Sequence, residues 1–487
     1  MPDQDPVGDP LGEETATPVS ARGRVLVIAC TLLAAVGVYY ALPGAFTELQ
    51  RRAAAVFVVA AVFWASEALP LFATSLLVIA LEVIFLASRG GLAGAGWLPS
   101  LGAVEKELAS SMFFTPLGSG TIVLFMGGFL ISAAIIKHGL DRQVAARLLQ
   151  PVMHRPAMLM LALLGVTGFA SMWMSNTAAT AMMLAIAAPV LRGIRGQDRY
   201  VAGLALAVPF GANLGGIGTP IGTPPNAVAL AALRQAGVEV SFVQWMAFAV
   251  PLMIALLAAA WAVLWLFHRP RGAYLPPAPS PIAPLTPAGR RTAVVTALTV
   301  LLWVTDAWHG VSAEAVALIS AAALTSLGLL DRKDMDGIEW NILILMWGGL
   351  ALGVGLEASG LTQWVGKMPV AQWPDPALVA CFAAVGVGMS TFMSNTAAAN
   401  LVVPMAMALG PAMGAPLAIV GGLSVSFAMA LPVSTPPNAM AFATGRFSSA
   451  DMLRAGGCIG LLSLPALLLL HPFIKPMILA LVPGQGR

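Results

Sequence analysis

The sequence predicts an all-α membrane protein with about 11 transmembrane helices plus two re-entrant hairpins, arranged as two inverted-topology repeats. Three observations lead there. Hydrophobic residues fill 59% of the 487 positions and charged ones only 10%, giving a mean hydropathy of +0.86, too apolar for a soluble multidomain chain. Two long apolar stretches, 157–190 and 376–410, are each interrupted near the middle by Ser-Asn-Thr. Four motifs of the first half recur in the same order in the second, which chance does not produce.

Residues 1–24 hold acids and prolines without an apolar run and read as a disordered cytoplasmic tail. A secretory signal would run from a basic start straight into its apolar core, whereas Arg22 and Arg24 stand just before the first span. That pair predicts a cytoplasmic N-terminus for a multi-pass protein of the cell (inner) membrane, with lipid around nearly the whole chain. Spans follow at 25–44, 53–71, 72–88 and 118–138, then the first hairpin at 157–190. Next come a long crossing, 200–233, and the span 243–267. Residues 268–291, rich in proline and arginine, read as a cytoplasmic linker. The second half repeats the plan with spans at 292–308, 312–330 and 340–359, a hairpin at 376–410, a crossing at 416–445 and a last span at 455–483. With both hairpins returning to the side they enter from, most of the 25 Lys and Arg fall on inside segments, as expected.

The recurrent motifs are specific. Trp64-Ala65-Ser66-Glu67-Ala68 resembles Trp303-Val304-Thr305-Asp306-Ala307, and Gly127-Gly128 followed by Gly139-Leu140 resembles Gly348-Gly349 followed by Gly360-Leu361. Met174-Ser175-Asn176-Thr177-Ala178-Ala179 recurs as Met393-Ser394-Asn395-Thr396-Ala397-Ala398, and Thr223-Pro224-Pro225-Asn226-Ala227 as Thr435-Pro436-Pro437-Asn438-Ala439. An odd number of spans separates the starts of the two copies, so they face opposite ways across the membrane, which places a binding site at their interface.

A hairpin tip at mid-membrane exposes the free N–H groups of one half-helix and the free carbonyls of the other, a costly arrangement in lipid unless ligands supply partners. The N–H end suits an anion; carbonyls, hydroxyls and amide oxygens suit a hard cation. Thr-Pro-Pro-Asn breaks its crossing in the same way, because two prolines remove two N–H donors. Gly211, Gly215, Gly216, Gly218 and Gly222 let backbone approach closely in the first copy. No Lys, Arg, His, Asp or Glu lies between Arg155 and Arg192, between Tyr200 and Arg234, or between Asp375 and Arg446. A dianion bound by these motifs therefore needs helix ends and co-bound cations, and a proton-coupled scheme has no titratable group there.

Other residues carry less. Cys30, Cys381 and Cys458 sit in apolar runs without metal-ligand spacing and read as small buried hydrophobes. Zinc-protease, phosphate-loop and nucleophile-elbow patterns are missing from the sequence, so neither an enzyme nor a cofactor is expected, and nothing suggests nucleic acid. Glu67 and Asp306 read as structural acids at span ends; Glu82, Glu314, Glu357 and the five histidines read as interfacial.

The paired Ser-Asn-Thr turns, each followed by Thr-Pro-Pro-Asn, resemble the divalent anion/sodium symporter family of sodium-coupled dicarboxylate, citrate and sulfate carriers, over about residues 25–485. The resemblance implies a homodimeric elevator-type transporter importing a C4 dicarboxylate of the succinate, malate or fumarate type with sodium as coupling ion. Sodium-independent dicarboxylate exchange and sulfate or tricarboxylate transport are the alternatives within that family. It implies a scaffold from 25–138 and 292–359 and a transport part from 139–267 and 360–487. Two sodium sites would use Ser171, Ser175, Asn176 and Gly222, and Ser390, Ser394, Asn395 and Ser434. The substrate would meet Asn176, Thr177, Asn395 and Thr396, with Thr223, Thr435 and Pro436 beneath it.

Overall fold

The computed structural model describes residues 21–88, 108–194, 198–271 and 284–482, and these form helices and turns with no β-strand. The fold is all-α. The first half runs α1 (Ala21–Ala41), α2 (Glu48–Ser66), α3 (Leu71–Phe85), a single turn α4 (Ser111–Phe114), α5 (Gly120–Lys137) and α6 (Leu140–Leu149). The first hairpin is α7 (Pro156–Ser171) and α8 (Asn176–Gly193); the first broken crossing is α9 (Asp198–Gly216) and α10 (Pro224–Gln235); α11 is Phe242–His268. In the second half come α12 (Pro287–Val304), α13 (Asp306–His309), α14 (Ala313–Ser326), α15 (Arg332–Asp336), α16 (Trp340–Ser359) and α17 (Leu361–Val365). They are followed by the second hairpin, α18 (Asp375–Phe392) and α19 (Asn395–Met407), the second broken crossing, α20 (Pro411–Ser424) and α21 (Pro436–Ala443), and α22 (Ser449–Leu479).

Local chemistry sets these bounds. Capping boxes start three of the long helices: Thr47 with Gln50 for α2, Ser241 with Gln244 for α11, and Ser448 with Asp451 for α22. The matched glycines Gly139 (φ 68°) and Gly360 (φ 77°) both take the left-handed conformation and turn the chain from α5 into α6 and from α16 into α17. Glu67 has φ 48° and ends α2, its N–H donating to Phe63 O. Asp306 Oδ2 accepts the Phe242 N–H at 3.0 Å, at the start of α11. Both acids thus take structural places at helix ends.

Among the described residues, seven helical segments are long and apolar enough to cross a membrane by length and composition, and four shorter apolar ones accompany them. The outward surface is apolar too: Leu461, Leu469 and Phe473 of α22 are 70%, 74% and 73% exposed, a face that makes sense only against lipid. The apolar cores lie between helices, with α7 on α9, α3 on α16 and α5 on α14. Glycines permit these approaches. A side chain at Gly215 would strike the Gly168 backbone, one at Gly348 would strike Ser75, and one at Gly127 would strike Ala317.

Some boundaries move. Helix α1 contains Arg22 and Arg24, which the sequence had put in the tail, and the rest of that expected tail, residues 1–20, lies outside the described residues. The linker narrows because α11 and α12 extend into 268–291, of which 272–283 lie outside the described residues. The second hairpin closes at Met407, since Pro411 starts α20 at its first helical position, where the missing N–H costs nothing. Cys30 is exposed on α1 rather than buried. Glu82, read as interfacial, is fully buried in α3 against Gly355 of α16, and neither carboxylate oxygen has a hydrogen-bond partner among the described residues. His268 is also buried, 3.9 Å from Asp451.

Candidate functional site

The two hairpin tips fold alike because the same residues solve the same problem. Ser175 and Ser394 are the N-caps of α8 and α19, and their hydroxyls accept the N–H groups of Ala178 (3.3 Å) and Ala397 (3.2 Å). That leaves the first-turn N–H groups of Asn176 and Thr177, and of Asn395 and Thr396, without partners inside their helices. Across each tip a serine from the first arm meets the asparagine that opens the second: Ser171 Oγ lies 2.6 Å from Asn176 Oδ1, and Ser390 Oγ 2.6 Å from Asn395 Oδ1. Thr177 and Thr396 are half-buried one position on.

The broken crossings are equally matched. Thr223 (φ −148°, ψ 142°) and Thr435 (φ −147°, ψ 149°) are extended residues just before the prolines that begin α10 and α21. The asparagine after the prolines reaches back to hold the unwound segment. Asn226 Nδ2 donates to Gly216 O (3.0 Å), Ile217 O (3.4 Å) and Thr219 O (2.7 Å). Asn438 Nδ2 donates to Leu431 O and to Ser434 Oγ, both at 3.0 Å. An Asn226→Asp variant puts a carboxylate against three carbonyls and removes the donor they share. It should cost about 2 kcal/mol or more, read as a lower thermal midpoint of the purified protein.

At the first tip the sequence-selected residues Ser171, Asn176 and Gly222 come together. A side chain on Gly216 would strike the Asn176 amide, and one on Gly222 would strike the backbone oxygens of Gly216 and Ser171. Turned with its nitrogen inward, the Asn176 amide donates to Ser171 Oγ (2.6 Å), Gly222 O (3.2 Å) and Ala212 O (3.2 Å). Turned with its oxygen inward, it accepts from the Ser171 hydroxyl at 2.6 Å and faces the carbonyl oxygens of Gly222 and Ala212. Ser175 is turned elsewhere: its hydroxyl donates to Glu339 Oε1 at 2.6 Å. At the second tip Ser390 pairs with Asn395, while Ser434 hydrogen-bonds Ala428 O (2.9 Å) and Leu431 O (2.8 Å) in a turn packed on α18.

The two copies interlock. Helix α10 packs on α19 and α21 packs on α8, so each broken crossing lies against the other copy's hairpin. Asn213 of α9 ties the copies directly, its Nδ2 donating to Thr435 Oγ1 (3.3 Å) and Asn438 Oδ1 (3.1 Å). Thr435 is thereby held as part of the junction, whereas the Thr223 side chain makes no cap hydrogen bond.

Two contributors escaped sequence reasoning. Asn213 stands alone as a polar amide in an apolar stretch of α9, a signal that was available. Glu339 gave none, being 164 positions from the serine it meets. Burial pushes its carboxyl up from the ordinary range, and the Ser175 hydrogen bond works against that shift. The motifs remain free of charged side chains, but the first tip has an acid beside it.

A family model described as the sodium:sulfate symporter transmembrane region matches residues 24–480. The sodium-dependent dicarboxylate transporter SdcS of Staphylococcus aureus (strain USA300) is 29% identical over 466 residues, covering 87% of this chain and 86% of that protein. SdcS of Staphylococcus saprophyticus is 29% identical over 462 residues, covering 86% and 85%. Among solved structures, the Alcanivorax borkumensis YdaH transporter aligns with a TM-score of 0.53 at 15% identity, over 75% of this chain and 87% of its own. Neisseria gonorrhoeae MtrF aligns at 0.52 and 12%, over 90% and 96%. At such identities the likeness concerns the fold.

Proposed function

Because the chain belongs to the sodium:sulfate symporter family, and is therefore a multi-pass membrane transporter rather than an enzyme, we propose that it imports C4 dicarboxylates coupled to sodium by an elevator movement. The observation that carries this is the pair of matching Ser-Asn tips, each with its 2.6 Å serine–asparagine contact and no charged side chain in its motif. The free N–H groups opening α8 and α19 suit the two carboxylates, one at each tip, with Thr177 and Thr396 beside them. The oxygen cluster of Ser171, Asn176, Gly222 and Ala212 suits sodium at the first tip, and Ser390, Asn395 and Ser434 take the corresponding role at the second.

Energetics favour cation coupling. Moving two negative charges inward against ~100 mV costs roughly 4.6 kcal/mol, at ~2.3 kcal/mol per charge. Two sodium ions cancel that cost, and a third makes import favourable. In this reading the hairpins, the broken crossings, α11 and α22 move as one part against a static part built from α1–α5, α12, α14 and α16, in a homodimer of the inner membrane with its N-terminus in the cytoplasm. The names of the SdcS relatives support sodium and dicarboxylate as cargo.

Uptake of labelled succinate into vesicles carrying the purified protein tests this directly. Uptake should require an inward sodium gradient and fall to background in choline. Equal uptake in choline would end the symport reading, and uptake confined to vesicles preloaded with dicarboxylate would establish exchange instead. Competition by sulfate and citrate reports the anion class.

A further inference from the structure

We propose that Glu339 and Glu314 form a one-sided latch, holding the moving part in the present conformation by contacts that the opposite conformation has no residues to reproduce. This rests on the two-part reading above. Both acids belong to the static part, Glu339 immediately before α16, where its side chain makes no cap hydrogen bond, and Glu314 in the first turn of α14. Both meet the moving part. Glu339 Oε1 accepts the Ser175 hydroxyl at 2.6 Å, and Glu314 Oε2 pairs with Arg234 Nη2 of α10 at 3.1 Å.

Inverted repeats generate their two end states by exchanging the roles of the copies, so the latch has a mirror position that can be read from the sequence. The moving-part partners are duplicated: Ser394 matches Ser175, and Arg446 follows Thr435-Pro436-Pro437-Asn438 as Arg234 follows Thr223-Pro224-Pro225-Asn226. The static-part acids are not. The register set by Gly127-Gly128 and Gly348-Gly349 puts Gly118, at the stretch Gly118-Ser119-Gly120, opposite Glu339. The register set by Trp64 and Trp303 puts Ser75 of α3 opposite Glu314, and the first turn of α3, Leu71-Phe72-Ala73-Thr74, holds no acid.

The hydrogen-bonding consequences differ accordingly. Ser394 Oγ accepts the Ala397 N–H much as Ser175 accepts that of Ala178, but the Ser175 hydroxyl also donates to a carboxylate. Charge-assisted bonds of this kind are roughly twice as strong as neutral ones. With both acids on one side, the present conformation is favoured at rest, and cargo binding has to break the latch before the moving part can travel.

The test is the distribution of distances between spin labels on exposed Ile319 of α14, in the static part, and exposed Leu453 of α22, in the moving part, in full-length protein with Cys30, Cys381 and Cys458 replaced. Without cargo, one separation should dominate; sodium with succinate should populate a second. Combining Glu339→Gln with Glu314→Gln should raise the second population about tenfold or more without cargo. Gly118→Glu, placed where an added Cβ meets nothing within 4 Å, should also shift the population toward the second state. Exchanging charges as Arg234→Glu with Glu314→Arg should return it toward the parent value, which separates the latch from a folding defect. A double Gln variant with the parent's distribution overturns the latch while leaving the two-part reading intact. A single unchanging separation in the parent, with and without cargo, overturns that reading and the latch together.

Discussion

Alanine at Asn176 or at Asn395 should reduce sodium-driven succinate uptake by about a hundredfold or more, with either substitution sufficient. Each asparagine does two jobs. Its side chain bridges the arms of its hairpin through the 2.6 Å contact to Ser171 or Ser390, and in the proposed function its backbone N–H opens the helix that receives a carboxylate. Truncation leaves a buried serine without its partner and removes an oxygen from the proposed sodium site. Two or three lost polar contacts at about 1–1.5 kcal/mol each amount to roughly a hundredfold. The folded protein should survive, since the caps made by Ser175 and Ser394 to Ala178 and Ala397 are untouched. Initial rates in vesicles, alongside size-exclusion profiles of the same preparations, check both halves. A variant at either position that keeps more than about a tenth of parental uptake would show that its tip does not hold cargo.

The second large effect is structural. Gly215→Val should cost about 3 kcal/mol or more, enough to lower the thermal midpoint sharply and abolish uptake with it. Helices α7 and α9 approach so closely that the added Cβ meets the backbone oxygen, Cα and carbonyl carbon of Gly168. Backbone cannot change rotamer to make room, so the helices must part and the Gly216–Gly222 loop beside Asn176 must move with them. Gly165→Ala is the control: it lies on α7 too, but its Cβ meets nothing within 4 Å, so it should leave the midpoint near the parental value or raise it slightly. Thermal unfolding of purified protein distinguishes the two. If Gly215→Val unfolds at the parental temperature, the close approach of α7 and α9 is not required.

Much of the fold could be read from residue order alone. Apolar runs locate helices because lipid demands internally satisfied backbone, and breaks at Ser175-Asn176 and Thr223-Pro224-Pro225 are visible because caps and prolines act on their own neighbours. Ser171 and Ser390 entered only through the family resemblance; the structure sets each against the asparagine five residues on, across one turn. The interfacial reading of Glu82 failed for the complementary reason: an acid one turn from a helix end is at an interface only if no other helix covers it, and α16 does.

By itself, then, the sequence determined the spans, the two hairpins, the duplicated turns and the family, all of which follow from local patterns and their recurrence. Tertiary structure decided which partners those turns meet. It brought Asn213 to Thr435 across 222 positions and Glu339 to Ser175 across 164, contacts that arise only when helices far apart in the chain pack side by side. Local periodicity carries no record of such neighbours, and for that reason the motifs appeared free of charge until packing set a carboxylate beside the first of them.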